Sequence, residues 1–261
     1  MLKRTTSCIL IAALFWFIST PAKAEEKLTV AVIDLFPFGK IDRSGLQSGL
    51  YVDIASALEE ELQFPIKKHV LPFKRAFRNI LAGKMDLFIS FKRDDLASKL
   101  KYLGSIGCTK MLMVSSKRTS ILSLSDLTGK RVGFVQGAST GPIYEKKFKV
   151  LPLYFPSTTP LINLLMLNRF DAFMVNSIVF NSYHHNKYGN VKLSANWRDY
   201  LGSVLTTRVH DIHISISRKS KNFKRAGDIE KAISALQRTN KFKEPFRRWG
   251  SMDGGSCEGL S

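Results

Sequence analysis

The run "RFDAFMVNS" takes a short apolar stretch to a polar end at Asn176 and Ser177. Consecutive Ala, Phe, Met and Val residues indicate a buried strand, and a helical pattern follows. In an open α/β sheet, polar side chains at the carboxyl end of a strand face the crevice that binds ligands. An amide there can donate and accept hydrogen bonds, but it cannot neutralise a charge. Asn176 is therefore a candidate contact for a polar ligand.

The histidines do not form a catalytic or metal-binding set. His184 and His185 are adjacent, so on a helix they point about 100° apart. His210 and His213 would face opposite sides of a strand. The sequence has no His-x-x-Glu-His-like spacing, no Gly-x-Ser-x-Gly elbow and no phosphate loop. We therefore expect no metal, no cofactor and no enzymatic activity.

Residues 1–24 have the pattern of a cleaved secretory signal. A basic start, "MLKR", precedes the apolar stretch "CILIAALFWFI" and the small residues "STPAKA". Cleavage after Ala24 fits this pattern, and an uncleaved N-terminal anchor is the alternative. We expect a protein that is exported to the periplasm and soluble there.

The chain is strongly basic, with a formal net charge of +19. Removal of Lys3, Arg4 and Lys23 with the signal leaves 37 basic and 21 acidic residues, a net charge of +16. Such a charge favours an anionic ligand or an anionic surface. Nucleic acid is a poor candidate because the basic residues are spread along an exported chain without a binding motif.

Two cysteines, Cys108 and Cys257, follow the signal. In an oxidising compartment an isolated pair usually forms a disulfide. It would close a loop of about 150 residues, worth roughly 4–5 kcal/mol in the chain-entropy model. We predict a structural disulfide rather than a metal site.

Strand and helix patterns alternate along the rest of the chain. The predicted strands are "KLTVAVI", "IKKHVLP", "MDLFIS", "KMLMVSS", "RVGFVQG", "LPLYFP", "DAFMVNS" and "DIHISISRK". Helical patterns lie between them, among them "YVDIASALEEELQF", "FKRAFRNILAG" and "STGPIYEKKF", and long amphipathic helices close the chain. This order predicts an α/β fold of two similar units of about 80 to 100 residues with a cleft between them.

Several of these segments, in this order, resemble family 3 of the bacterial extracellular solute-binding proteins. The likeness is carried by "FPFGKIDRSGLQSGLYVDIASALEEEL", "LPFKRAFRNILAGKMDLFIS", "SLSDLTGKRVGFVQGAST", "LLMLNRFDAFMVNS" and "RTNKFKEPFRRWG". The resemblance implies a two-lobed type II periplasmic-binding fold, in which each lobe is a mostly parallel sheet flanked by helices. Lobe one would comprise residues 26–110 and 212–261, and lobe two residues 111–211. The chain would cross between them at "TKMLMVSS" and near "DIHISIS", which makes pairing of Cys108 with Cys257 feasible.

The sequence departs from the family's usual amino-acid site at two positions. Members that bind amino acids normally have an Arg that forks onto the ligand carboxylate, and Ser98 stands at that position here. Lys92 and Arg93 could substitute only with a shift in register. Asn176 replaces the Asp that pairs with the ligand's ammonium. These two departures from the family's pattern imply a ligand other than a standard α-amino acid.

Eight residues form the predicted ligand set. Phe38 offers an aromatic ring, Tyr51 a hydroxyl, and Arg75 a cation at a helix start. Ser139 or Thr140 opens a helix whose N-terminus suits an anion. The full set is Phe38, Tyr51, Arg75, Ser90 and Arg93 from lobe one, and Ser139, Thr140 and Asn176 from lobe two.

The predicted function is capture of a small polar or anionic solute by a monomer. The closed form would dock on an ABC importer's permease or on a membrane sensor. Two alternatives stay open: a periplasmic dehydratase-like enzyme on the same fold, and a basic protein that binds the envelope surface.

Overall fold

The computed structural model describes residues 27–136, 140–184, 193 and 196–250. Strands in these ranges are β1 (Leu28–Ile33), β2 (Lys40–Ile41), β3 (Gln47–Ser48), β4 (Ile66–Leu71), β5 (Leu87–Phe91), β6 (Leu100–Ser116), β7 (Arg131–Val135), β8 (Leu151–Phe155), β9 (Ala172–Asn176) and β10 (Leu201–Ser217). The α-helices are α1 (Leu50–Leu62), α2 (Phe73–Leu81), α3 (Thr140–Phe148), α4 (Thr158–Met166), α5 (Ser177–His184), α6 (Ala226–Arg238) and α7 (Lys243–Arg248).

Eight strands form one sheet in the order β4-β1-β5-β10-β6-β9-β7-β8. Strand β1 pairs in parallel with β4 and β5, and β7 pairs in parallel with β8 and β9. Between these two groups, β6 and β10 run antiparallel to each other. We call the part around β4, β1 and β5, with α1, α2, α6 and α7, the first half. The second half is built around β9, β7 and β8, with α3, α4 and α5.

The two halves are joined by β6 and β10, each of 17 residues. The sequence predicts strands only over 110–116 and 211–219, and the structure extends both by about ten residues. Residues 201–208 alternate between half-buried and exposed positions, and 100–109 contains two glycines. Neither stretch has the apolar run of a buried strand. Each stretch instead pairs with the predicted, more apolar part of the other strand, residues 201–208 with 111–116 and residues 100–109 with 210–217.

Helix α1 shows how the local pattern sets the core of the first half. Ile54, Ala55 and Leu58 recur at helical spacing, and all three are buried. They face the same core as Ile229 and Ile233 of α6. Burying such an aliphatic side chain contributes about 1.5–3 kcal/mol relative to exposure. The predicted amphipathic helix is confirmed.

In the described part of the chain, no helix is both long and apolar enough to cross a membrane. The predicted signal, residues 1–24, lies outside the described residues.

Candidate functional site

The strand ends of the two halves meet where β6 passes between them. Phe91, at the carboxyl end of β5, is opposite Ile212 of β10, which is opposite Gly107 of β6. At the carboxyl end of β9, Asn176 is opposite Met111 of β6. Met111 is four positions after Gly107 along β6, about 13 Å at 3.3 Å per residue. The parallel strands of both halves therefore end facing the same short stretch of the crossing, and we call the space at these strand ends the crevice.

Asn176 lies at this edge with only 8% of its surface exposed. Its Oδ1 accepts hydrogen bonds from the backbone N–H groups of Ile178 (2.9 Å) and Val179 (3.4 Å). The amide thus caps the N-terminus of α5. Its Nδ2 is buried and has no hydrogen-bond partner among the described residues. A buried donor without a partner is costly, so this group is suited to meeting an acceptor on a ligand.

Ser177 fixes this turn to the crossing strand. Its Oγ accepts a hydrogen bond of 3.1 Å from the backbone N–H of Lys110. A second contact, also 3.1 Å, joins it to Oγ1 of the buried Thr109. Neither Ser177 nor Thr109 belongs to the predicted set, because a hydroxyl gives no local signal of a partner 68 residues away. Together they hold Asn176 in a fixed place relative to the crossing.

A family comparison supplies the identification. Residues 28–252 match the model of the bacterial extracellular solute-binding proteins, family 3. The chain belongs to this family. No curated protein sequence matches it significantly.

Solved structures show the same fold at low sequence identity. The arginine-, lysine-, histidine-binding protein ArtJ from Geobacillus stearothermophilus is 20% identical with a TM-score of 0.68, covering 86% of this chain and 95% of its own. A histidine kinase sensor domain with similarity to periplasmic binding proteins is 14% identical with a TM-score of 0.69, covering 86% and 96%. The ancestral amino acid-binding protein AncCDT-1, a precursor of cyclohexadienyl dehydratase, is 16% identical with a TM-score of 0.67, covering 86% and 95%. The two-lobed α/β fold of this solute-binding protein is confirmed.

Phe38 and Tyr51 are core residues of the solute-binding protein. Phe38 is 3% exposed and Tyr51 is 1% exposed, and their ring centroids lie 4.8 Å apart. Gly49, with φ +135°, lets the loop press against the Phe38 carbonyl, 2.5 Å from where a Cβ would lie. Burial raises the pKa of the Tyr51 hydroxyl. Both rings therefore pack in the core of the first half, and the ligand contacts expected of this pair stay a prediction.

Ser90 lies near the carboxyl end of β5, in register with His213 of β10. Its Oγ donates a long hydrogen bond of 3.3 Å to the Phe91 carbonyl. The side chain is half-buried at the crevice edge. The structure thus brings Ser90 and Asn176 to the same crevice from opposite halves.

Arg93 is engaged within its own loop. Its guanidinium makes two hydrogen bonds to Asp95, Nε to Oδ1 at 3.1 Å and Nη2 to Oδ2 at 2.7 Å. This pairing raises the pKa of Arg93 and lowers that of Asp95. Tyr102 fixes the loop through its hydroxyl, which accepts from the Arg93 N–H and donates to the Arg93 carbonyl. A ligand carboxylate would have to displace Asp95 to reach this fork.

Arg75 lies exposed in the first turn of α2, just after the carboxyl end of β4. Phe73, two residues earlier, is 42% exposed and stacks on Phe77 with centroids 5.9 Å apart. Sequence reasoning missed Phe73, although an aromatic directly after Pro72 at a helix start was a readable signal. An exposed ring at a strand end is a surface on which a ligand can pack.

The crossing histidines contact different aromatic rings. His210 stacks on Phe91 at 5.0 Å, and His213 lies edge-on to Tyr102 at 5.6 Å. Burial lowers the pKa of both imidazoles. In the described ranges, no three His, Cys, Asp or Glu side chains come together as a metal site.

The remaining predicted residues are only partly covered. Thr140 begins α3, but its side chain is outside the described part, as is Ser139. Cys108 is 6% exposed in β6, whereas Cys257 lies outside the described residues. A shallow surface depression near the amino end of β8, lined by Pro142, Glu145, Lys146, Lys149 and Val150, lies at the opposite end of that strand from the crevice.

Proposed function

We propose that this chain is an exported, two-lobed solute-binding protein that closes on a small polar solute between its halves. The lobes are residues 26–110 with 212–261, and residues 111–211. The observation that carries the proposal is the Nδ2 of Asn176, a buried donor at the strand-end crevice that has no partner among the described residues. We place Ser90 and Arg75 across the crevice from it.

The orientation of Asn176 sets the ligand chemistry. Its Oδ1 is committed to the backbone of α5, so the side chain can offer a ligand only N–H donors. A donor cannot meet an ammonium group, which itself only donates. Ser98, at the position where the resemblance expects an Arg, is exposed and uncharged. The solute therefore presents a hydrogen-bond acceptor and is not a zwitterionic α-amino acid.

Charges near the crevice favour an anionic solute. Arg75 and Lys92 are exposed at strand ends of the first half, and Lys110 is half-buried in the crossing. Asp34 and Asp211 are exposed on the same edge and would repel an anion, but the three cations outnumber them. The guanidinium of Arg75 offers the planar fork that matches a carboxylate. A small organic acid without an amino group fits this set of groups best.

Binding would act through a hinge. Ser90 and Arg75 belong to one half and Asn176 to the other, so a solute contacts all of them only when the halves approach. A ligand shifts an equilibrium by its differential affinity for the two states, and here the closed state makes the additional contacts. The closed form would then be recognised by an importer's permease or a membrane sensor, and the solved structures of similar fold include proteins of both systems.

A thermal-shift screen at low salt tests the proposal. We expect organic acids to raise the melting temperature, and α-amino acids, polyamines and sugars not to. At a ligand concentration of 100 times Kd, the gain in the free energy of unfolding is about 2.7 kcal/mol. A response to amino acids alone would contradict the ligand chemistry.

Two further outcomes would favour the other functions. A basic envelope-surface protein would be supported if no compound in the panel raises the melting temperature and the protein shows salt-sensitive binding to lipopolysaccharide or peptidoglycan. Consumption of a solute during incubation would support a dehydratase-like enzyme. Export is tested separately, by intact mass of the periplasmic protein, which should begin at Glu25.

A further inference from the structure

The C-terminal segment after α7 is held to the first half by Trp249. The indole Nε1 donates a hydrogen bond of 2.8 Å to Oδ2 of Asp53, in the first turn of α1. The same carboxylate oxygen accepts from Nη1 of Arg248 at 3.1 Å. Phe36, just beyond β1, meets the Trp249 ring edge-on with centroids 5.7 Å apart. These contacts lie where β1 ends and α1 begins, at the crevice edge of the first half.

The backbone of the same residue contacts the second half. The carbonyl oxygen of Trp249 is 2.7 Å from Oγ of Ser182, a fully buried residue of α5. That Oγ is also 2.7 Å from the Ile178 carbonyl and has one hydrogen to share between them. Trp249 is thus bonded to α1 through its side chain and to α5 through its main chain.

Gly250 shows how closely the segment lies against α5. Its φ of +110° belongs to a region that residues with a Cβ rarely adopt. A Cβ at this position would lie 2.7 Å from Ser182 Oγ and 3.1 Å from the Ile178 carbonyl oxygen. The residue therefore has both a conformational and a steric reason to be glycine. We call Trp249 and Gly250 the C-terminal strap.

We infer that the strap is a third connection between the halves, in addition to β6 and β10, and that it restrains their opening. Asp53 lies in the first turn of α1, which follows β1, and Ser182 lies in the second turn of α5, which follows β9. The strap therefore spans the crevice along the α1–α5 side. Opening the halves on that side requires loss of either the Asp53 or the Ser182 contact. The inference rests on the two-lobed arrangement proposed above, but not on the ligand.

Hydrogen exchange of the ligand-free protein tests whether the strap couples the halves. The substitution Asp53→Ala lies in the first half, whereas α5 belongs to the second half. We nevertheless expect exchange in the first turns of α5 to accelerate about fivefold, the factor that one average hydrogen bond supplies. Glu60→Ala is the matched control, because it removes an exposed carboxylate from the same helix away from the strap.

A second variant removes the contact between the strap and the second half. Ser182→Ala should accelerate exchange around Phe36 and α7, and small-angle scattering should give a larger radius of gyration for both variants than for Glu60→Ala. Faster exchange confined to the mutated half, with unchanged dimensions, would overturn the inference. That outcome would leave the ligand proposal intact, since the screen above reads ligand binding alone.

Discussion

The Oδ1 atom of Asn176 accepts a 2.9 Å hydrogen bond from the backbone N–H of Ile178, and this contact determines which atoms of the amide remain for a ligand. Because the oxygen caps α5, the nitrogen is the atom left to donate a hydrogen bond to a ligand. Among the described residues it has no partner. One side chain therefore serves the start of a helix and a candidate binding site. Mutations at this position must separate the two roles.

Asn176→Asp should separate them. Aspartate is as good an N-cap as asparagine, so the free energy of unfolding should change by less than about 1 kcal/mol. The substitution replaces the free donor with a carboxylate oxygen, so an acidic solute should bind at least about tenfold more weakly through lost hydrogen bonding and repulsion. Titration calorimetry and thermal melts measure both quantities. Unchanged affinity for the acid would remove Asn176 from the site.

Arg75→Gln should weaken the binding of an anionic solute and reduce its dependence on salt. The guanidinium is exposed, so the loss should be modest and should diminish above about 0.15 M salt, where charges are screened within about 8 Å. Arg78→Gln, an exposed change near the other end of the same helix, is the control. Equal effects of the two substitutions would point to general charge rather than a contact.

His213 should make stability depend on pH below neutrality. Burial lowers the pKa of its imidazole from 6.5, with Lys92 lowering it further and Asp211 opposing. The unfolded chain therefore takes up a proton first as the pH falls through about 6.5, and the free energy of unfolding decreases. Above that pH both states are neutral and the residue contributes no slope. His213→Gln should reduce the slope of melting temperature against pH between pH 6.5 and 5. Part of the slope should remain, because burial also lowers the pKa of His69 and His210. An unchanged slope would exclude His213 as a cause.

The cysteine prediction remains to be tested by mass. If Cys108 and Cys257 are paired, alkylation of the exported protein without reduction should add no mass. Reduction should then lower the free energy of unfolding by at most roughly 4–5 kcal/mol in the chain-entropy model. Detection of two alkylated thiols before reduction would refute the disulfide.

Local patterns were sufficient for most elements of the fold. The helical spacing of Ile54, Ala55 and Leu58 predicts α1, and the run from Ala172 to Val175 predicts β9. Such patterns depend on neighbours in sequence and survive without tertiary information. They failed for residues 100–109 of β6 and 201–210 of β10, each of which pairs with the predicted part of the other strand.

Some residues of the candidate site could likewise be predicted from the sequence, and others could not. Asn176 is predictable, because a polar residue at a strand end has one general meaning in α/β sheets. Phe38 and Tyr51 are not, since a loop aromatic and a helix-start tyrosine have the same types whether they line a crevice or pack on each other. Their burial and ring contact, which only the structure shows, favour the packing role.

The sequence by itself determined the two α/β units, the family resemblance and the strand-end position of Asn176. The tertiary structure decided the orientation of that amide, the engagement of Arg93 with Asp95 and the bonding of Trp249 to Asp53, 196 residues away. Periodicity in the sequence indicates which nearby residues share one face of a helix or strand. The partner of a hydrogen-bonding group depends on distances that exist only once the halves are assembled.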